Sequence, residues 1–247
     1  MQYSRKINTL GDMEQISDTD EVARLAALFD AERKALALLD QIEALGFIAA
    51  GRREREVERD IYALAEQGFG VTKHWHKRIV RAGLNTLATA GDNPTDLVIT
   101  DDDMVFLDLG PVFEAWEADV GRSYAVGGDL AKHVLCADLP RMFDLVKAEF
   151  DANLDITGAE LYAFACAAAE RFGWHFGGKI AGHIIGEFPH AHLPGEKEVL
   201  RISPGNPTRL RDPDGFGRTR YWILEIHIVS QDRTFGGFYE RLMHDQT

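Results

Sequence analysis

Apolar side chains recur at helical spacing from Val22 to Ile42, through Leu25, Leu28, Phe29, Leu36 and Leu39, and predict one long amphipathic helix. Asp18 or Thr19 can cap its start, and Gly46 lies near its end. A second helix is predicted over residues 53–65, ending at Gly68. Residues 70–82 alternate poorly but hold Ile79-Val80 and read as extended. Gly91-Asp92-Asn93-Pro94 and Asp101-Asp102-Asp103 are turn clusters, and the second leads into an apolar strand at 104–107 closed by Asp108. Two further helices are predicted around 138–152 and 159–172, the later one with a capping box in Thr157-Gly158-Ala159-Glu160. The small residues at 165–169 suggest close packing of that helix against a sheet. Ser203-Pro204-Gly205-Asn206-Pro207 reads as an exposed loop that continues, charged and irregular, through 208–220 until Tyr221-Trp222-Ile223-Leu224 begins a strand. Long irregular segments of this kind often supply substrate contacts.

The pattern also echoes itself. One predicted helix runs out in Gln67-Gly68-Phe69-Gly70, and another in Phe172-Gly173 followed by Phe176-Gly177. His76 lies six residues past Gly70, and His183 six past Gly177. Phe-Gly pairs after helices are common, so coincidence and two similar halves both remain open.

Composition narrows the class. A chain of 247 residues can bury one substantial core or two small ones. A net charge of −13 argues against a nucleic-acid surface. Cys136 and Cys166 are the two cysteines, which implies neither a disulfide framework nor a zinc-thiolate cluster. Met1-Gln2-Tyr3-Ser4-Arg5-Lys6 is not followed by an apolar stretch long enough for a signal peptide, and no run approaches the roughly 18 apolar residues of a membrane helix. A soluble cytoplasmic protein with no membrane partner is expected.

The candidate chemistry lies in five residues in the order Asp108, Asp119, His183, Glu225 and Glu240. Asp119 follows Asp108 by eleven residues, an odd spacing that would put the two on opposite faces of a continuous strand. Gly110-Pro111 intervenes, so a turn or hairpin can let both carboxylates converge. Four carboxylates and one imidazole make an oxygen-and-nitrogen donor set suited to Mn, Fe, Co or Zn, and not a thiolate site. Without cations they would repel one another, so a metal pair is the simplest explanation. Each residue also has a plain alternative. Asp108 could be a turn residue, Glu240 a solvated carboxylate, and His183 a satisfied core histidine.

The order and spacing carry a resemblance. The chain resembles the pita-bread metallopeptidases: methionine aminopeptidase, aminopeptidase P, prolidase and creatinase. The matching pieces are Asp108, Asp119, Gly182-His183-Ile184-Ile185-Gly186, Glu225 in Trp222-Ile223-Leu224-Glu225-Ile226, and Glu240 in Gly236-Gly237-Phe238-Tyr239-Glu240. His190, seven residues beyond His183, stands where the family has its second histidine. The resemblance implies an α+β pita-bread fold, with two pseudo-symmetric halves whose helices back a curved, mainly antiparallel sheet. It implies a helical extension at 1–47 and a catalytic domain at 48–247. Two divalent metal ions would be held by Asp108, Asp119, His183, Glu225 and Glu240, with a hydroxide between them as nucleophile. Glu225 would take the nucleophile's proton, and His190 would hydrogen-bond the substrate carbonyl. Arg122 would order the loop that carries the ligands. His76, His192 and His227 are candidate substrate contacts.

Departures from the family bear on the substrate. The segment Asn85-Thr86-Leu87-Ala88-Thr89-Ala90-Gly91 lacks the imidazole that peptidase members carry there. Ile184 replaces the usual small residue after Gly-His and would narrow or grease the pocket wall. The large N-terminal domain of aminopeptidase P, prolidase and creatinase is not expected in the at most fifty or so residues before the match. The leading expectation is a hydrolase of a C–N amide bond, like an Xaa-Pro aminopeptidase, acting on a small peptide or amino-acid derivative. A creatinase-like enzyme on a small non-peptide substrate and a non-catalytic binding module are the alternatives. A homodimer is expected, because the long first helix lacks an obvious cover within its own half.

Overall fold

Residues 18–77, 79–89, 91–190 and 197–245 are described by the computed structural model of this chain. The first helix, α1 (Asp18–Ala44), buries Leu28, Ala31, Ala35, Leu38, Leu39 and Ile42, a stripe at spacings of three and four. Val22 is 68% exposed, so the stripe begins a turn later than the sequence pattern implied. α1 packs on α2 (Glu54–Phe69), on β5 (Trp116–Glu117) and on β6 (Val120–Val126). That helix therefore finds its cover within the chain, and the ground for expecting a homodimer is absent from this packing.

α2 runs one turn further than predicted. Gly70, at φ 68°, takes the left-handed conformation that a C-cap needs; its N–H donates to the Glu66 carbonyl and the Val71 N–H donates to the Ala65 carbonyl. At the other end of α2 the buried Glu54 carboxylate accepts from the Ala82 amide at 2.7 Å, the Asn85 side chain at 3.0 Å and the Leu97 amide at 3.1 Å. One side chain thus ties the segment between two strands to a helix.

β1 (Lys73–His74), β4 (Pro111–Phe113) and β5 form a small three-stranded sheet. The main sheet has the order β2 (Ile79–Ala82), β3 (Asp103–Leu109), β6, β10 (Gly236–Leu242), β9 (Tyr221–Val229) and β7 (His175–Phe176), with β8 (Gly182–Ile185) also paired to β9. Every pairing is antiparallel. α1 and α2 cover the β2–β3–β6 half, burying Val105, Leu107, Leu109 and Val120. α3 (Leu130–Ala152) and α4 (Gly158–Phe172) cover the other half, burying Trp222, Leu224, Ile226 and Ile228. The halves meet at β6 and β10, as the pita-bread fold requires.

α3 begins eight residues before the predicted start, at Leu130 against 138. Leu130 and Val134 are exposed and burial begins at Leu135, so its first turn carries no apolar stripe; Asp129 caps it by accepting from the Ala131 amide. The predicted capping box of α4 is present, with Thr157 and Glu160 satisfying each other's backbone amides. Ala165, Ala168 and Ala169 are fully buried where α4 lies against α3 and β7. The loop at 203–207 is not simply exposed. Ser203 and Asn206 are buried, and the Asn206 side chain bonds the Arg201 carbonyl, the Thr208 amide and the Thr208 hydroxyl while its main-chain carbonyl accepts from Ala159 at the start of α4. Polar residues placed there satisfy buried backbone groups, which composition alone reads as a solvated turn. Among the described residues no helix is long and apolar enough to cross a membrane.

Candidate metal centre

Register builds the site. Asp108 of β3 pairs with Gly121 of β6, Gly121 with Glu240 of β10, and Glu240 with Glu225 of β9. Three carboxylates therefore stand in one row across four adjacent strands. Alternation turns their neighbours Leu107, Leu109, Leu224 and Ile226 into the helical cores and leaves the carboxylates on the opposite face. The one position in the row without a side chain is required to lack it. A Cβ on Gly121 would sit 2.5 Å from the Phe238 ring and 3.0 Å from Glu240 Cβ.

Asp119 joins the row from just before β6. The expected turn after Asp108 is a β4–β5 hairpin, with Val112 opposite Glu117, and it returns the chain so that both aspartates converge. Asp119 is 2% exposed and sits between two imidazoles. Its Oδ1 lies 3.1 Å from His76 Nε2, and its Oδ2 lies 3.0 Å from His183 Nε2. His183 Nε2 is also 3.6 Å from Glu225 and 3.9 Å from Glu240. His183 reaches this position because β8 runs close against β9; a Cβ on Gly182 would lie 2.0 Å from the Ile223 carbonyl oxygen.

Burial and crowding set the charges. Desolvation raises Asp108 to about 6 and Glu225 to about 7, and it drives Glu240 well above its ordinary range, with help from the neighbouring carboxylates. Asp119 moves the other way, to about 2. Its burial is outweighed by the His76 charge and by hydrogen bonds to both imidazoles. The rings gain in return. Against a desolvation cost, the carboxylates lift His76 to about 10 and His183 to about 9. Among the described residues, Glu240 Oε2 is buried with no hydrogen-bond partner. A buried orphan oxygen within an excess of carboxylate is a site built for cations. Two overlapping groups can hold one: His76, Asp108 and Asp119, and Asp119, His183 and Glu240.

His190 stands beside this cluster, its ring stacked on that of His183 at 5.6 Å and 13°. Its backbone amide donates to Glu117 Oε1 at 3.0 Å, and its Nδ1–H donates to Glu117 Oε2 at 2.5 Å. Glu117 is 1% exposed and fixes the ring so that Nε2 is left for a ligand. Trp75 packs edge-on against His76, His183 and His190, with ring centroids 4.3, 5.0 and 4.8 Å away. Sequence reasoning missed both residues. Glu117 sits two residues before Asp119, and that spacing was its only signal.

The structure redraws the surroundings of three expected residues. His76, placed on the substrate wall, lies inside the carboxylate cluster, with Nε2 also 3.3 Å from Asp108. Arg122 does not order the ligands: strand alternation turns it to the helical side, where it bonds Asp40 and Glu43 of α1. His227 is buried between Phe106 and Phe238, and its Nε2–H donates to the Thr86 carbonyl at 2.8 Å, so it braces the β2–β3 segment instead of facing a substrate. Burial lowers its pKa. His192 lies outside the described residues.

Next to His190 opens a pocket of about 280 Å3, bordered by Ile184, Ile185, Phe188, Asp214, Phe216 and Arg218 among others. The irregular segment before β9 thus lines this pocket through Asp214, Phe216, Arg218 and Thr219, and Ile184 forms part of its wall.

A carboxylate row with imidazoles at its centre, on a sheet of two similar halves, defines a metal centre of the metallopeptidase type. The profile of metallopeptidase family M24 matches residues 26–212, and the chain belongs to that family. A search of curated proteins finds no significant match. Among solved structures, the prolidase from Pyrococcus horikoshii OT3 is similar at 21% identity and a TM-score of 0.62, over 94% of this chain and 60% of that one. The X-Pro aminopeptidase from Thermotoga maritima MSB8 is similar at 21% and 0.64, over 95% and 64%. The Xaa-Pro dipeptidase from Bacillus anthracis is similar at 20% and 0.66, over 91% and 61%. The chain therefore spans under two thirds of the length of these relatives, and at such identities the likeness establishes the fold.

Proposed function

We propose that this protein hydrolyses a C–N amide bond in a small peptide, as Xaa-Pro peptidases do, with two divalent cations drawn from Mn, Fe, Co or Zn. The observation that carries the reading is the aligned row Asp108, Glu240 and Glu225 with Asp119 held between two imidazoles. Asp108, Asp119, His183, Glu225 and Glu240 would hold the cations. Once bound, cations supply an activated water near neutral pH and polarise the scissile carbonyl. The protein's own groups do the rest. Glu225, with a carboxyl near neutrality, is suited to accept and return a proton. His190, fixed by Glu117, offers Nε2 to the substrate carbonyl. The pocket lined by Phe188, Phe216 and Ile185 would take an apolar or proline-like side chain, and Arg218 sits at its edge.

The test is turnover of a panel of Xaa-Pro and Met-Xaa dipeptides by metal-reconstituted protein, alongside Asp119→Ala and His190→Ala. Hydrolysis that both substitutions remove supports the reading. Turnover untouched by either, or none with any of the four metals, would overturn it.

A further inference from the structure

The echo between the two halves continues into the metal centre. His76 Nδ1–H donates to the carbonyl of the next residue, Lys77, at 2.7 Å; His183 Nδ1–H donates to the carbonyl of its next residue, Ile184, at 2.8 Å. A carbonyl only accepts, so both rings are held in the same tautomer with the Nε2 lone pair turned inward. Both lone pairs point at one carboxylate, His76 toward Asp119 Oδ1 and His183 toward Asp119 Oδ2. A lone pair facing a carboxylate oxygen at 3.0–3.1 Å needs a positive charge between them, either a proton or a cation.

Space has been cleared for His76 in particular. A Cβ on Gly110 would lie 2.3 Å from His76 Cδ2, 2.4 Å from its Nε2 and 2.5 Å from Trp75 Nε1. Gly110 directly follows β3, so the backbone that presents Asp108 also makes room for the ring. Trp75 packs edge-on against the same ring, its centroid 4.3 Å away. A ring so confined, anchored at Nδ1 and within 3.3 Å of two carboxylates, is placed as ligands are placed and has little freedom to follow a substrate.

We propose that His76 is a sixth cation ligand, giving the cation at Asp108 an imidazole of its own, so that one cation stands on each side of Asp119 with one histidine apiece. This rests on the dinuclear reading above and extends it, because the family resemblance supplies one histidine ligand and not two. The added nitrogen shifts the Asp108 side of the centre toward the later metals, Co and Zn, at the expense of Mn.

The experiment is cobalt loading of metal-free full-length protein, followed by proton NMR in H2O and by calorimetric titration. A ligand imidazole whose Nδ1–H is held by a backbone carbonyl gives a strongly shifted, solvent-exchangeable resonance when Co(II) occupies Nε2. Wild type at two equivalents of Co(II) should show two such resonances, and His76→Ala should show one. One of the two binding events should weaken at least about tenfold in that variant, the loss that removing even an outer partner of a ligand produces. A single shifted resonance in fully loaded wild type would overturn the proposal with no variant needed. So would unchanged affinity and spectrum in His76→Ala. Wild type that binds no cobalt would instead sink the dinuclear reading itself, so the two failures are distinguishable.

Discussion

The two halves of the sheet bring different chemistry to the same cleft. The first half, β2–β3–β6, contributes Asp108, Asp119 and His76: two short carboxylates, one of them strongly acidic at about 2, beside a ring lifted to about 10. The second half, β8–β9–β10, contributes His183, Glu225 and Glu240, where one ring faces two long carboxylates that both resist ionisation. Each side has two carboxylates to one ring, but Asp119 on the first side keeps its charge, whereas burial holds back the ionisation of both carboxylates on the second. Demand for metal is therefore greatest around Glu240, whose Oε2 has no partner. Asp119 is the hinge between the two, which makes it the place where the comparison can be broken most completely.

Asp119→Ala should remove the shared oxygen pair from both sides. Metal content by elemental analysis should fall for both cations, and kcat/KM on a cleaved dipeptide should drop by about a thousandfold or more. Loss of one cation alone would show that the halves are independent. His190→Ala should cost about 100- to 1000-fold in kcat/KM with metal content unchanged, because the ring touches the cluster only by stacking.

Removing metal should sharpen the contrast through pH. Asp108 and Glu225 have folded pKa values above their unfolded ones, so between about pH 4 and 7 the folded state keeps protons that the unfolded state has released. Stability of chelator-treated protein should fall across that window, by about 3 kcal/mol for Glu225 alone. The imidazolium contributions of His76 and His183 are full below about 6.5 and lost as pH rises through 9–10, so the decline should continue. Asp119 acts oppositely, its contribution lost only as pH falls through about 2. Thermal melts across pH 4–9 with and without Co(II) check this; a flat profile without metal would contradict these shifts.

Glu117→Gln should lower kcat by about tenfold, less than His190→Ala, with metal content intact. Arg122→Ala should matter least. Its partners Asp40 and Glu43 are exposed, so stability should fall by less than about 1 kcal/mol with no change in metal content.

What could be read from sequence, and what could not, follows from how far each interaction reaches along the chain. Thr157 and Glu160 announced α4 because a capping box is complete within four residues. The five candidate ligands were legible as a set because carboxylates that share a cleft need cations wherever they come from in the chain. The last turn of α2 was missed, since either Gly68 or Gly70 can stop a helix and only φ decides. Arg122 was misassigned because its charge suggested the ligand loop, whereas strand parity turned it to α1. Glu117, Trp75 and the true position of His76 depend on the β1–β4–β5 sheet, a tertiary pairing of two- and three-residue strands too short to carry any periodicity.

Glu54 has one further consequence. It grips main-chain amides at Ala82 and Leu97 and the amide side chain of Asn85 and, among the described residues, none of the side chains between Thr86 and Thr95. The frame of that excursion is thus secured independently of what its tip is made of. The exposed residues Gly91, Asp92 and Asn93 at the tip can therefore be exchanged without loosening the grip on Ala82 and Leu97.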